Sequence, residues 1–358
     1  MKIFGIALDP INSLERLSLK LSYLNYIKNT PWEENRYLDP YDVIKDYLKN
    51  KSLLINDRSW AGKISVESWL APKPNQTDFF SLTPDKYRKF LENNGCFEYA
   101  MIVRDYLKEK IFPAKPVMIG VDHGLTGGVV KALSERFNNL NVVIFDAHFD
   151  VMRYQVASEK SAWGITDAYN GNSFFKTEEA IQFYECGNFI SFLLERNIIK
   201  PERLWILGVQ EEVVKGLEKE YFSSKAEWSQ VEEFRKWVDK GVHLITKNEL
   251  VSKKSINLSL NGPTYLSIDM DVGSLSSIYS ARFMNCIGVT YNEFVNALYN
   301  LSCIIRESDI PLIGLDLMEI DIHLLEASGL SGYKDYTKEI IKKIFQFFLN
   351  DLEEDLAS

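Results

Sequence analysis

Short β-branched apolar runs alternate with amphipathic helical stretches along most of the chain. This predicts an α/β protein in three layers, a mainly parallel sheet with helices on both faces. Two further observations support that class. No internal repeat or low-complexity linker interrupts the pattern, so residues 1–358 read as one domain. Polar clusters stand just past several apolar runs, at the carboxyl ends of strands where an open α/β sheet gathers its ligands.

Lys2 to Leu8 reads as the first strand and ends at Asp9-Pro10. Residues 12–29 carry leucines, Tyr23 and Ile27 at helical spacing, with Asn12 or Ser13 as cap. Pro31 to Asp39 reads as a loop and Pro40 to about Asn56 as a second helix. Ala71 to Thr77 is an irregular connector. Thr83-Pro84 opens a long helix to about Phe112, with Thr83 at the cap and Pro84 in the first turn. Val117 to Val121 is a strand, followed by Asp122-His123-Gly124 and a helix from Thr126 to Phe137. Asn141 to Phe145 is a buried strand. Val151 to Glu178 has weak periodicity, and a loop that long inside a compact domain is usually functional. The remaining strands are Arg203–Gly208, Val242–Thr246, Thr264–Ile268 and Ile310–Leu315. The remaining helices are Phe189–Arg196, most of Glu211–Asp239, Tyr291–Glu307 and Thr337 to about Leu352.

Hydrophobic residues make up 46% of the chain and charged residues 25%, enough for a large core and too apolar for disorder. The net charge of −9 argues against nucleic acid as a partner and suits a cationic one. Cys96, Cys186, Cys286 and Cys303 are scattered without Cys-x-x-Cys spacing, the pattern of reduced thiols in a cytoplasmic protein. The N-terminal apolar run is too short for a signal peptide, and no run is long enough to span a bilayer.

The chemistry concentrates at Asp146, His148 and Asp150, directly after the Asn141–Phe145 strand. Continued strand alternation would point all three to one side. Buried carboxylates around an imidazole are costly unless a cation sits among them. His123, Asp269 and Asp271 follow two other strands, giving two imidazoles and four carboxylates in all. Two divalent cations would balance the four aspartates, with a bridging hydroxide as the residual anion. Mixed Asp/His ligation fits manganese better than zinc.

These segments resemble the ureohydrolase (arginase/agmatinase) superfamily. Its Gly-Asp-His, Asp-Ala-His-x-Asp, Ser-x-Asp-x-Asp and Asp-x-x-Glu motifs read here, in order, as Val121-Asp-His123, Asp146-Ala-His-Phe-Asp150, Ser267-Ile-Asp-Met-Asp271 and Asp316-Leu-Met-Glu319. The resemblance covers Lys2 and then Val117 to the C-terminus, and leaves an extra helical and irregular segment at about 30–115. It implies an arginase-like fold and two Mn2+ with a bridging hydroxide. His123, Asp150, Asp146 and Asp269 would hold one ion; His148, Asp271, Asp146 and Asp269 would hold the other. Glu319 would pair with a substrate guanidinium, and Asp122 would orient a ligand from behind.

The departures narrow the resemblance. Gly124 stands where the family has Ser or Thr, and Asp271 is followed by Val-Gly-Ser-Leu without the usual Asp-Pro. The Ser-Gly-Asn-x-His-Gly stretch that grips the amino-acid end in small-molecule arginases is nearest to Cys186-Gly-Asn-Phe-Ile-Ser, which has no His. The pattern resembles the peptide arginases, which convert arginine side chains of a precursor peptide to ornithine and release urea. The expected partner is therefore an arginine-containing peptide, with neither nucleic acid nor membrane, and the sequence leaves room for a homo-oligomer. Two histidines remain. His243 reads as a core histidine on a strand. His323 reads either as the catalytic proton shuttle that replaces the missing family histidine, or as a packing residue. The alternatives are a hydrolase of a free small guanidine, a single-zinc deacetylase lacking its tandem His pair, and a binding protein of this fold that has lost catalysis.

Overall fold

The computed structural model describes residues 1–10, 14–29, 37–51, 53, 55–151, 184–211, 225–252, 258–284, 286–327 and 334–353. Eight strands form one sheet: β1 (Lys2–Ile6), β2 (Trp60–Ile64), β3 (Pro116–Gly120), β4 (Asn141–Phe145), β5 (Leu204–Val209), β6 (His243–Thr246), β7 (Thr264–Asp269) and β8 (Leu312–Met318). Their order across the sheet is β2-β1-β3-β8-β7-β4-β5-β6, and every pair is parallel. β3, β4, β5, β7 and β8 are buried along their whole length. That is why they read as continuous apolar runs and show no alternation with polar residues.

Among the described residues the α-helices in chain order are α1 (Leu14–Asn29), α2 (Pro40–Asn50), α3 (Pro84–Glu92), α4 (Gly95–Tyr106), α5 (Thr126–Ser134), α6 (Phe189–Glu195), α7 (Lys225–Asp239), α8 (Lys247–Ser252), α9 (Tyr291–Glu307), α10 (Ile322–Ala327) and α11 (Thr337–Glu353). The pleat sorts the side chains between two cores. Val142 and Ile144 of β4 enter one core with Leu17 of α1, Val103 of α4, Val129 of α5, Ile190 of α6 and Trp237 of α7. Val143 and Phe145 enter the other with Ile44 of α2, Leu298 of α9 and Ile341 of α11. Both faces of the sheet are thereby covered. No helix among the described residues is long and apolar enough to cross a membrane.

Several elements differ from their sequence reading. The helix predicted from Pro84 to Phe112 is two helices. Asn94, with φ +55°, breaks it, and Gly95 follows, where a Cβ would lie 2.1 Å from the Phe90 ring. The second helix stops at Asn50, short of Asn56. β2 was not read from sequence at all, so the segment at about 30–115 contributes an edge strand to the sheet. His243 is exposed at the start of β6, the opposite edge strand, and stacks on Trp205 at 4.8 Å; it is not a core residue. The cap at Asn12 or Ser13, the loop after Val151 and the first half of the Glu211–Asp239 stretch lie outside the described residues.

Gly128 lets α5 press on α4: a Cβ there would stand 2.0 Å from the carbonyl oxygen of Ala100. Backbone cannot step aside as a flexible side chain can. Gly128→Ala is expected to lower the unfolding free energy by about 1–3 kcal/mol, read from the urea midpoint. An unchanged midpoint would mean that the two helices are not held at this distance.

Candidate metal centre

The sheet order brings the four motif-bearing strands side by side, as β3-β8-β7-β4. The register aligns their ends, with Phe145 opposite Ile268 and Asp269 opposite Met318. Asp122 and His123 follow β3, Asp146 follows β4, Asp269 closes β7 and Glu319 follows β8. All therefore meet at one edge of the sheet.

Among the described residues, two groups of potential ligands that include a histidine form there, and Asp122, Cys186 and Glu319 make a third beside them. Ligand atoms of His123, Asp146, Asp150 and Asp269 lie within 4.8 Å of one another, as do those of Asp146, His148 and Asp271. Asp146 belongs to both; Asp269 belongs to the first only. His123 Nδ1 stands 2.9 Å from Asp269 Oδ2, 3.3 Å from Asp150 Oδ2 and 3.4 Å from Asp146 Oδ2. His148 Nδ1 stands 2.8 Å from Asp271 Oδ2 and 3.6 Å from Asp146 Oδ1.

Strand alternation does not create this arrangement, because β4 ends at Phe145. A turn does, in which the His148 amide donates to Asp146 Oδ1 at 2.6 Å and Asp150 adopts φ +45°. A non-glycine residue there is strained and has to be held by its surroundings. The second motif turns in a similar way, with the Asp271 amide donating to Asp269 Oδ1 at 2.8 Å.

The electrostatics are those of a site short of positive charge. Burial pushes Asp150 up to about 8 and Asp269 up to about 6, with repulsion from Asp146 and Asp271 respectively adding to it. Burial opposes charging of His123 and His148, but the aspartates outweigh it and hold both imidazoles well above their ordinary value. His123 Nδ1 and Asp146 Oδ2 are buried and without a hydrogen-bond partner. The donor separations near 3 Å match the edges of an octahedron with bonds of about 2.1 Å. Mixed carboxylate and imidazole donors at that spacing fit hard or borderline divalent ions such as manganese.

A relay behind the site fixes His123. Ser267 Oγ donates to Asp316 Oδ1 at 2.6 Å, and its only proton is spent there. His123 Nε2, 3.0 Å from the same Oγ, must then be the donor, so in the neutral ring that a metal ligand requires, Nδ1 turns its lone pair to the aspartates. Thr126 and Tyr265 hydroxyls donate to the other oxygen of Asp316 at 2.7 and 2.5 Å. Phe189 packs over the His123 ring with centroids 4.7 Å apart.

Three residues make contacts that their sequence reading did not include. Asp122 caps its own turn through the Gly124 amide at 3.0 Å, and its other oxygen faces Arg282 at 3.5 Å; it makes no hydrogen bond to a candidate ligand. Glu319 lies beside the centre, where Oε1 accepts the His123 amide at 2.8 Å, but Oε2 faces the Arg282 guanidinium at 3.2 Å. His323 is not brought to the aspartates. Its Nε2 is engaged with the Pro72 carbonyl at 3.0 Å, its ring meets Tyr23 edge-on, and burial lowers its pKa. These contacts suit the packing reading of His323.

Sequence reasoning assigned no role to Ser267 or Asp316, although both stand inside quoted motifs, and it missed Arg282 altogether. A signal for Arg282 existed: it is the only charged residue in 272–292. The structure also accounts for Gly124. A Cβ there would lie 2.8 Å from Asp122 Oδ1 and 3.2 Å from the Cys186 amide nitrogen, because the 184–188 segment packs directly on this turn. The Tyr184 hydroxyl donates to the Gly124 carbonyl from the same side.

The Arginase family model matches residues 76–330. No curated protein sequence matches the chain. Among solved structures, the chain is similar to formimidoylglutamase from Bacillus subtilis, with 15% identity, 98% of this chain and 86% of that one covered, and a TM-score of 0.54. It is also similar to arginase from Bacillus cereus, with 14% identity, 99% of each chain covered and a TM-score of 0.51. Arginase from Bacillus subtilis gives 15% identity, 99% coverage of each chain and a TM-score of 0.51. At these identities the structural likenesses establish the fold.

The relay predicts the behaviour of Ser267→Ala. Loss of the hydroxyl frees the His123 ring and its tautomer, so divalent-metal affinity should fall about 10–100-fold with the circular-dichroism spectrum retained. A metal titration that superimposes on the wild type would show that Ser267 does not position His123.

Proposed function

The chain belongs to the Arginase family, a family of metal-dependent C–N hydrolases, and from that premise we propose that it hydrolyses arginine side chains within a peptide to ornithine, releasing urea. In this reading two Mn2+ are held by His123, Asp146, Asp150 and Asp269 on one side and by Asp146, His148 and Asp271 on the other. When bound, such a pair supplies a water activated at neutral pH. Glu319 receives the guanidinium and orients its carbon towards the aspartates. The water oxygen bonds to that carbon, the bond between the carbon and the arginine Nε breaks, and the two water protons pass to Nε, giving urea and the ornithine ammonium.

The observation that carries the peptide reading is the state of the 185–190 segment. In small-molecule arginases its counterpart grips the amino-acid end. Here Asn188 is fully buried and its Oδ1 accepts the Glu185 amide at 3.0 Å. Ile190, at the position of the family histidine, is fully buried in the core. Neither side chain is turned outward to await a free carboxylate or ammonium. Neither of these side chains is left unpaired when the arginine is amide-linked, so they do not discriminate against a peptide. The net charge of −9 adds attraction for a cationic peptide, and that attraction weakens as salt rises.

The test is incubation of the manganese-loaded protein with an arginine-containing peptide, with free arginine and agmatine in parallel, read by mass spectrometry and urea release. Conversion of peptide arginine with higher kcat/KM than either small compound is expected. Turnover of agmatine or arginine alone would replace this reading with a small-guanidine hydrolase. Glu319→Gln keeps an acceptor for the His123 amide, so metal content should persist. The lost charge should lower kcat/KM on the peptide by about a hundredfold or more.

A further inference from the structure

The carboxylate assigned to the substrate guanidinium already faces a guanidinium of the chain itself. Arg282 is fully buried. Its Nη1 stands 3.2 Å from Glu319 Oε2, 3.5 Å from Asp122 Oδ2 and 3.1 Å from the Val121 carbonyl. Its Nε is 3.5 Å from Asp9 Oδ1, and Nη2 reaches the Pro10 carbonyl at 3.5 Å. The backbone fixes the pair: the Arg282 amide donates to the Glu319 carbonyl at 2.9 Å, and Ala281 bridges to Ile320. Glu319 is held at φ +58°, a conformation that a non-glycine residue keeps only under constraint.

Glu319 Oε1 accepts the His123 amide, and Oε2 faces Arg282 at ion-pair distance without receiving a hydrogen bond. A guanidinium binds a carboxylate best through two parallel bonds, one to each oxygen. Here a guanidinium charge of the chain already stands at one of the two oxygens. Asp9 does not depend on Arg282 as its counter-ion, since it has Arg16 and Lys20 as well. Among the described residues, Glu319 and Asp122 have Arg282 as their only ion-pair partner.

We propose that Arg282 is a resident guanidinium at the recognition carboxylate and sets the specificity of the site, so that a substrate guanidinium gains Glu319 only in competition with the charge of Arg282 at Oε2. The proposal rests on the reading of Glu319 as the guanidinium-binding group and deepens it. A small free guanidine exchanges one guanidinium–carboxylate pair for another of the same chemistry and gains nothing from the exchange. A peptide brings further contacts along its chain, and these tip the competition. Arg282 then excludes free guanidines without touching the bond that breaks.

The test is a binding measurement on the manganese-loaded protein, with agmatine as probe in isothermal titration and guanidinium ion as probe in thermal unfolding. Wild type should bind agmatine no more tightly than millimolar. Arg282→Gln should bind it at least about tenfold more tightly, because the carboxylate is released from a charged competitor. Millimolar guanidinium should raise the unfolding temperature of this variant and leave that of the wild type in place. Arg282→Lys covers a failure of the first variant to fold. It keeps the charge, but a single ammonium cannot reproduce the fork and should also admit agmatine more tightly than wild type. Micromolar agmatine binding by wild type, or no gain in a folded variant of unchanged metal content, overturns the proposal. Because the readout is binding, it is separate from turnover. A gain in affinity without peptide conversion would overturn the proposed reaction and leave the role of Arg282 standing, and the reverse pattern would do the opposite.

Discussion

The rest of the molecule depends on how a crowd of carboxylates is kept at a buried sheet edge. Ionised carboxylates out of water are costly unless cations or hydrogen-bond donors accompany them. The chain divides them into two neighbourhoods. Asp9, Asp122, Glu319 and Asp321 share Arg16, Lys20 and Arg282, so the protein supplies its own cations. Among the described residues, Asp146, Asp150, Asp269 and Asp271 have only His123 and His148 as ion-pair partners. The first neighbourhood sets three protein cations against its four carboxylates. The second has the donors and the charge deficit of a site for divalent ions.

Asp316 is a third case, relieved by hydroxyls and no cation. It takes protons from Thr126, Ser267 and Tyr265, and through Ser267 it sets which nitrogen of His123 faces the aspartates. The same histidine is tied through its amide to Glu319. One residue at the end of β3 thus couples the candidate metal centre to the candidate recognition carboxylate, so a change in Glu319 that lost this acceptor would also disturb the metal side.

Parallel topology makes the crowding achievable. Consecutive strands β3 and β4 are separated in the sheet by β8 and β7, and each of these four delivers its motif to the same edge. The crossovers needed to reach that order run on both faces and account for the two separate cores. The sharp turns that follow the strands carry the local strain, in the left-handed Asp150 and Glu319. Both are at the site, where surrounding bonds are dense enough to hold them.

The sequence by itself determined the fold class and the identity of the candidate ligands. Continuous β-branched runs such as Val142-Val-Ile-Phe145 are legible because full burial on both faces demands them, and Asp/His motifs after such runs are legible because residue type and spacing carry the chemistry. Local signals also decide breaks, and Asn93-Asn94-Gly95 was readable in principle as the end of α3. Only the tertiary structure decided what each charged group faces. The edge strand β2 has a weak apolar pattern because its residues are largely half-buried, and its pairing with β1 is a long-range fact. Arg282 meets Glu319 across 37 positions of chain, Asp9 across far more, and His323 turns to the carbonyl of Pro72. Spacing along the chain records which side chains are present. Which cation neutralises which carboxylate is settled by burial and close approach between segments distant in sequence, and those contacts exist only once the sheet has assembled.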